Sequence, residues 1–305
     1  MSIKNIKWIP ILGNCVENKG VLKYIGTPST EGPNQGQSSA CLARSNLDFE
    51  NGSVKFRVKI THPDCKVQLG LNNGQTVEVY AGLNNGGAYG ISSFTNGKWE
   101  NFATAGMGNS PPINKNILVE VRLTGSDLHL FVDEVLVAKG TYLVRRSQLA
   151  FLIVGEGEAE IELLAVTNSD SVAFVVMQFT DEFDALYREV IAPTCAKFGF
   201  TAIRADDIYH NGLIVEDIAR SIREATVVIA DITPDNPNVY YEVGFSHGIG
   251  KSTILLADKK RSTLPFDVNG FRTIFYENTI GGKSAVEHSL RQHLESLVGR
   301  PSIDI

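Results

Sequence analysis

Glu242 lies in the run Asn236-Pro237-Asn238-Val239-Tyr240-Tyr241-Glu242-Val243-Gly244, just after an apolar stretch that closes on Ala230-Asp231-Ile232. Pro237 pre-sets a first-turn dihedral and needs no amide partner, so the run reads as a helix capped by Asn236. Free amides at such a helix start can hold an anion. A carboxylate about one turn further on, among apolar and small neighbours, can stabilise positive charge on a sugar or bond to it covalently. Gly244 leaves room for close approach to the helix, and Ser246, four residues past Glu242, shares its face. Glu242 is therefore the candidate catalytic residue, with Asn238 and Ser246 as substrate contacts.

Other groups gather at the ends of neighbouring apolar runs. Met177, Gln178 and Phe179 follow Val172-Ala173-Phe174-Val175-Val176. Gln178 is placed to hydrogen-bond a ribose or base. Arg204, Asp206 and Asp207 follow the run from Phe200; Arg204 can hold a phosphate or pair with an acid. Asp231 is either a ligand contact or a cap for the turn after it. His210, Asn211 and Lys251 read as surface groups. No Gly-rich phosphate loop occurs, which excludes P-loop and dinucleotide-fold readings.

The elements that must position these groups alternate. Apolar strands at 172–177, 200–204, 226–230, 252–257 and 273–276 are interleaved with helices that start at Thr180 or Asp181, at Glu216 and at Pro237, and with a last one opened by a capping box at Ser284 and Glu287. Pro193 is placed to kink the first helix. Continuous apolar strands are expected where both faces of a sheet are covered. The pattern predicts a flavodoxin-like α/β domain over 172–305, a parallel sheet of order 2-1-3-4-5. Ligands bind such sheets beyond the carboxyl ends of the strands, beside Gln178, Asp231 and Glu242.

Residues 1–168 read differently. Strands at 53–60, 76–80, 118–123, 127–132, 134–138 and 159–166 alternate apolar and polar residues, with turn signals at Asn72-Asn73-Gly74, Asn84-Asn85-Gly86-Gly87 and Asn96-Gly97. This predicts an all-β sandwich, or jelly roll. The stretch from Gly82 to Gly108, with Tyr89, Phe94, Trp99 and Phe102, is either a ligand-binding rim or a set of core and edge aromatics.

The 305 residues carry 28 basic and 34 acidic side chains, for a formal charge of −6. With no basic run, the chain gives no electrostatic reason to bind nucleic acid. No apolar run reaches membrane-spanning length, and the segment from Trp8 to Leu12 is too short for an export signal. The expected location is the cytoplasm. Cys15, Cys41, Cys65 and Cys195 lack metal-ligand spacing, so no metal is expected. They read as free thiols, with a Cys15–Cys41 or Cys41–Cys65 bridge as the alternative.

Two resemblances add to this reading. Residues 117–138, where two alternating strands precede Leu130-Phe131-Val132-Asp133 and a further apolar strand, resemble the concanavalin-like and laminin-G-like jelly rolls. That family often binds glycans, and many members serve as interaction modules. Residues 172–276 resemble the superfamily of nucleoside 2-deoxyribosyltransferases and bacterial TIR-like domains, through Phe174-Val175-Val176-Met177-Gln178-Phe179, Ala230-Asp231-Ile232-Thr233 and Asn238-Val239-Tyr240-Tyr241-Glu242-Val243-Gly244. The family usually has a Gly-Pro pair where this chain has Met177-Gln178, a departure that bears on the substrate more than on the fold. The second resemblance implies that Glu242 acts at the sugar C1′ and that Asp231 is the family's aspartate after the third strand.

Together these readings imply an N-glycosidase that cleaves the ribosyl–base bond of a nucleotide. Nicotinamide leaves without an acid, so Glu242 alone suits NAD as substrate; a purine would need a proton donor such as Asp206 or Asp207. No cofactor is required. The sandwich would be a sensor or assembly module with a glycan or protein ligand, homo-oligomers are compatible with that role, and the TIR-like likeness implies antiviral defence. The alternatives are a non-catalytic nucleotide-signal-binding protein, a deoxyribosyltransferase-like enzyme, and a glycan-binding protein in which the sandwich acts.

Overall fold

The computed structural model describes residues 6–26, 39–142, 144–205, 214–261, 264–265, 268 and 270–298. Contacts divide the chain into two compact units, Met1–Leu123 with Asp127–Ser169, and Thr124–Ser126 with Asp170–Ile305.

The first unit is a β-sandwich of antiparallel strands. In chain order they are β1 (Trp8–Leu12), β2 (Cys15–Asn18), β3 (Val21–Gly26), β4 (Ala40–Phe49), β5 (Gly52–Ile60), β6 (Lys66–Leu71) and β7 (Val77–Leu83). They continue as β8 (Tyr89–Thr95), β9 (Lys98–Ala105), β10 (Ile117–Thr124), β11 (Asp127–Val132), β12 (Val135–Thr141), β13 (Ser147–Val154) and β14 (Gly157–Asn168). One seven-stranded sheet has the order β1-β4-β13-β6-β7-β8-β9, the other β12-β11-β10-β5-β14-β3-β2.

Alternation decides which side chains enter the core. In β5, Val54, Phe56, Val58 and Ile60 are buried, while Lys55, Arg57 and Lys59 leave by the other face. Phe56 meets Phe151 of β13 edge-on at 4.9 Å, and Trp8 packs on Phe151 at 5.1 Å. Burying each of these phenylalanine rings stabilises the fold by about 1.5–3 kcal/mol.

Cys15 of β2 and Cys41 of β4 form a disulfide, which corrects the free-thiol reading for that pair. Spacing could not decide this, because the two cysteines meet only when a strand of each sheet closes the sandwich. Cys65 and Cys195 are free and buried, and burial pushes both thiols up to about 12.

The second unit holds a five-stranded parallel sheet. Its strands are β15 (Ser171–Val176), β16 (Phe200–Arg204), β17 (Val227–Asp231), β18 (Thr253–Asp258) and β19 (Thr273–Tyr276), in the order β16-β15-β17-β18-β19. Both faces are covered, which is why the strands are apolar throughout. Ala173 and Val175 pack with Phe183, Val190 and Leu290; Phe174 and Val176 pack with Ile222, Val239 and Val243.

The first helical stretch is not one α-helix. It runs as α1 (Asp181–Leu186), a π-helical turn Tyr187–Ile191 and α2 (Ala192–Lys197). Pro193 has no amide to give the ladder, and the helix widens just before it. Helices α3 (Ile214–Glu224), α4 (Pro237–Gly248) and α5 (Ile280–Val298) follow. The start expected at Ser284 is corrected to Thr279, whose hydroxyl accepts the Gly282 amide at 3.0 Å. Ser284 is then interior to α5, one turn inside the real cap.

Candidate ligand-binding face

The outer face of the first sheet carries a row of side chains set by register. Arg44 of β4 pairs with Ala150, Ala150 with Gly70, Gly70 with Tyr80, Tyr80 with Ser92, and Ser92 with Asn101. The row lies opposite the core, since its strand neighbours Ala43, Leu69, Ala81 and Ile91 point inward. Gly70 lets the Tyr80 ring come close: a Cβ here would sit 3.0 Å from that ring and 3.1 Å from Asn73 Oδ1. Tyr80 therefore leans over the sheet and is buried, although it faces away from the core.

Aromatic rings extend this row. Trp99, 50% exposed, lies 5.0 Å from Tyr80 and 5.0 Å from Phe94, centroid to centroid. The Tyr80 hydroxyl donates to Glu78 Oε2 at 2.8 Å, and Glu78 Oε1 accepts the Gly74 amide at 2.9 Å. Burial first, then the Glu78 carboxylate, holds the Tyr80 phenol above its usual range. Of the aromatics in the 82–108 stretch, Phe94 and Trp99 thus take the rim position, whereas Tyr89 packs against the core.

Three polar atoms on this face are buried without a hydrogen-bond partner among the described residues: Arg44 Nε, Asn73 Oδ1 and Ser92 Oγ. The Asn73 amide does donate, to Gly70 O and Gln148 O at 2.8 Å each. The nearby acid Asp48 is engaged by Arg146 at 3.2 Å. At the strand ends that carry Lys66 and Val154, opposite the hairpin of Phe94 and Trp99, a cavity of about 530 Å3 opens between Asp64, Lys66, Asn84, Gly87 and Glu156. The sequence held no sign of Arg44 or Tyr80 as site residues, because their strands stand next to each other only through β13 and β6.

The outer face of the second sheet is built otherwise. Lys23 pairs with Glu160 at 2.6 Å, Arg57 with Glu162 at 2.5 Å, and Glu120 with both Lys55 at 3.1 Å and Arg122 at 2.9 Å. These are ion pairs of a solvated surface, cross-strand except for Glu120 with Arg122, which both lie in β10.

The residues singled out in the second unit are placed as follows. Glu242 is 9% exposed on the buried side of α4, with Ser246 on the same side; burial alone pushes its carboxyl up to about 7. Ser246 Oγ is spent on Thr253 Oγ1 at 2.6 Å. Asp231 is fully buried and caps its own turn: Oδ1 accepts the Thr233 amide at 2.9 Å and Oδ2 the Tyr276 hydroxyl at 2.7 Å. Burial, the largest cause, holds it up at about 6. Arg204 donates to Asp184 at 2.8 Å and lies over the Phe179 and Tyr187 rings.

Met177 belongs to the core, Gln178 is half-buried and Phe179 is exposed. Asn238 is exposed, its amide donating to Asn236 Oδ1 at 3.0 Å. The space beside Gly244 is open, so it does not serve close packing. Asp206, Asp207, His210 and Asn211 lie outside the described residues. Among the described residues no cluster of His, Cys, Asp and Glu could hold a metal, and no helix is long and apolar enough to cross a membrane.

No family model and no curated protein matches this chain. Solved structures do. The carbohydrate-binding module CBM66 from Bacillus subtilis is 12% identical, with a TM-score of 0.41 over 51% of this chain and 91% of that one. A β-glucanase of Bacillus licheniformis is 12% identical, TM-score 0.37, over 52% and 92%. A galectin-like protein of unknown function from Bacillus subtilis is 7% identical, TM-score 0.39, over 53% and 88%.

These are carbohydrate modules, glycosidases and galectin-like sandwiches, not nucleoside deoxyribosyltransferases or TIR-like domains. The expected membership of that superfamily is corrected accordingly. So are the expectations that went with it: cleavage of NAD, nucleotide-signal binding and an antiviral role. A physical reason points the same way: burial favours the uncharged Glu242, whereas stabilising a sugar cation needs the carboxylate.

Proposed function

We propose that the sandwich unit binds carbohydrate on the outer face of the sheet that carries Trp99. The observation that carries this reading is the half-exposed Trp99 ring, propped by Tyr80 and Phe94. An aromatic ring can stack on the apolar side of a sugar ring, while fixed donors and acceptors beside it select hydroxyls. The outer face of the other sheet is crossed by ion pairs, and its Phe131 ring is covered by Arg122.

Binding, rather than hydrolysis, is the reading the acids support. Glycoside hydrolysis needs two carboxyl groups free to act as acid and as base or nucleophile. Near the rings Glu78 is committed to Tyr80 and Gly74, and Asp48 to Arg146, while Asp64 and Glu156 stand at the cavity on the other end of the strands, away from Trp99. The test is a glycan array followed by calorimetry on the positives. Trp99→Ala is expected to weaken binding at least tenfold, about 1.4 kcal/mol, with the unfolding midpoint little changed. Silence across the array, or full affinity in Trp99→Ala, would refute the proposal.

A further inference from the structure

Asparagine is followed by glycine at 51–52, 73–74, 85–86, 96–97, 211–212 and 269–270. Such a pair is prone to lose its side-chain amide, because glycine has no Cβ to hinder attack by its own nitrogen. The fold treats the four described pairs unequally. Asn51 is buried, and Gly52 is paired on both sides, with Leu123 and with Asn168. Asn73 is buried, its side-chain amide donates to Gly70 O and Gln148 O at 2.8 Å each, and the Gly74 nitrogen donates to Glu78. Asn85 is buried, its amide donates to Tyr80 O and Gly90 O, and the space beside Gly86 is taken by Thr104 and Asn101. Asn96 is exposed, its side chain makes no hydrogen bond among the described residues, and the space around Gly97 is open.

Asn96 and Gly97, at φ 50° and 80°, form the two-residue turn between β8 and β9. The cross-strand pairs next to it are Thr95 with Lys98 and Phe94 with Trp99. In a turn of this kind the flanking residues bond to each other, which leaves the Gly97 nitrogen free to react. We propose that Asn96 is a site of spontaneous covalent modification, and, resting on the carbohydrate reading above, that its conversion to isoaspartate moves Trp99 and disables the glycan-binding face. In the first step the Gly97 nitrogen bonds to Asn96 Cγ and the bond from Cγ to the side-chain nitrogen breaks. That nitrogen leaves as ammonia, taking the proton that Gly97 loses. Water then opens the five-membered ring. Entry at Cγ gives aspartate; entry at the main-chain carbonyl gives isoaspartate, whose main chain runs through Cβ and Cγ and is one carbon longer. The longer link does not fit a two-residue turn, and a slipped pair loses its facing side chains. Trp99 then leaves the Tyr80 and Phe94 rings, which lie 5.0 Å from it in the unmodified chain.

The intact chain is held at pH 8 and 37 °C, and peptide mass mapping follows amide-to-acid conversion at each pair. Asn96 is expected to convert at least tenfold faster than Asn51, Asn73 and Asn85, which react only when their surroundings open. Conversion at Asn96 no faster than at those three overturns the site. In the separated isoaspartate form, the tryptophan indole N–H resonance that is missing from Trp99→Ala should move, and affinity for a glycan that fresh protein binds should fall at least tenfold. Asn96→Gly keeps a pair suited to the turn and has no amide to lose, so after the same incubation it should retain both the resonance and the affinity. An unmoved resonance in the isoaspartate form overturns the coupling to Trp99. A moved resonance with undiminished affinity overturns both the disabling effect and the role of Trp99 in carbohydrate binding. Fresh protein that binds no glycan overturns the carbohydrate reading, while the mass and resonance readouts still decide the modification.

Discussion

At Glu242, a single buried carboxyl makes a pH effect that can be worked out from its surroundings. Free glutamate titrates near 4.5; burial without a partner raises this group to about 7. The folded state thus holds the proton more tightly than the unfolded state. The stability this adds is fully present below about 4.5 and is lost as pH rises through about 7. The second unit should be less stable at pH 8 than at pH 5, with Glu242 contributing roughly 3 kcal/mol of the difference. Asp231, raised from 3.8 to about 6, acts in the same direction over a lower range. Glu242→Gln should raise stability at pH 8 and leave only the Asp231 part of the slope, read by helical circular dichroism in denaturant. A slope unchanged by the substitution would show that the carboxyl is ionised in the fold. The segment around Glu242 was readable as a helix with an inward acid; that Ser246 and Asp231 would already be spent on Thr253, Thr233 and Tyr276 was not.

Element boundaries follow the same division between local and distant causes. Strand β5 was readable because its apolar and charged residues alternate strictly, from Val54 to Ile60. Helix α4 was readable because Asn236 and Pro237 mark its start. Strand β4 alternates less plainly, with Arg44 and Ser45 in mid-strand, and β8 and β9 carry small or polar residues on both faces. Their strand character comes from neighbours on either side, which a local pattern cannot display. Helix α5 begins at Thr279 rather than Ser284, because Thr279 already caps the turn through Gly282. Thr279→Ala should cost about 1 kcal/mol, measured as a lowered denaturation midpoint, while Ser284→Ala should cost less than half of that. The reverse order would restore Ser284 as the cap.

For the molecule as a whole, the sandwich owes part of its stability to the Cys15–Cys41 bridge. The bond closes 26 residues of chain, and restricting the unfolded state in this way stabilises by about 3 kcal/mol. Both tryptophans, Trp8 and Trp99, belong to the sandwich, so their fluorescence reports on that unit. Reduction should lower the denaturant midpoint seen by tryptophan emission, and Cys15→Ser with Cys41→Ser should reproduce the shift. An unchanged midpoint in the double variant would show that the bridge adds nothing.

Local pattern was enough to separate an alternating half from a half of continuous apolar strands, because burial on one face or on two writes itself directly into residue order. It was enough for the Asn236 cap and the inward acid of α4, but not for the start of α5. The row from Arg44 to Asn101, the pairing of Cys15 with Cys41 and the choice of Trp99 as the exposed ring were decided by tertiary structure. Each depends on strands far apart in sequence coming side by side, and a one-residue change of register would turn every one of those side chains to the opposite face.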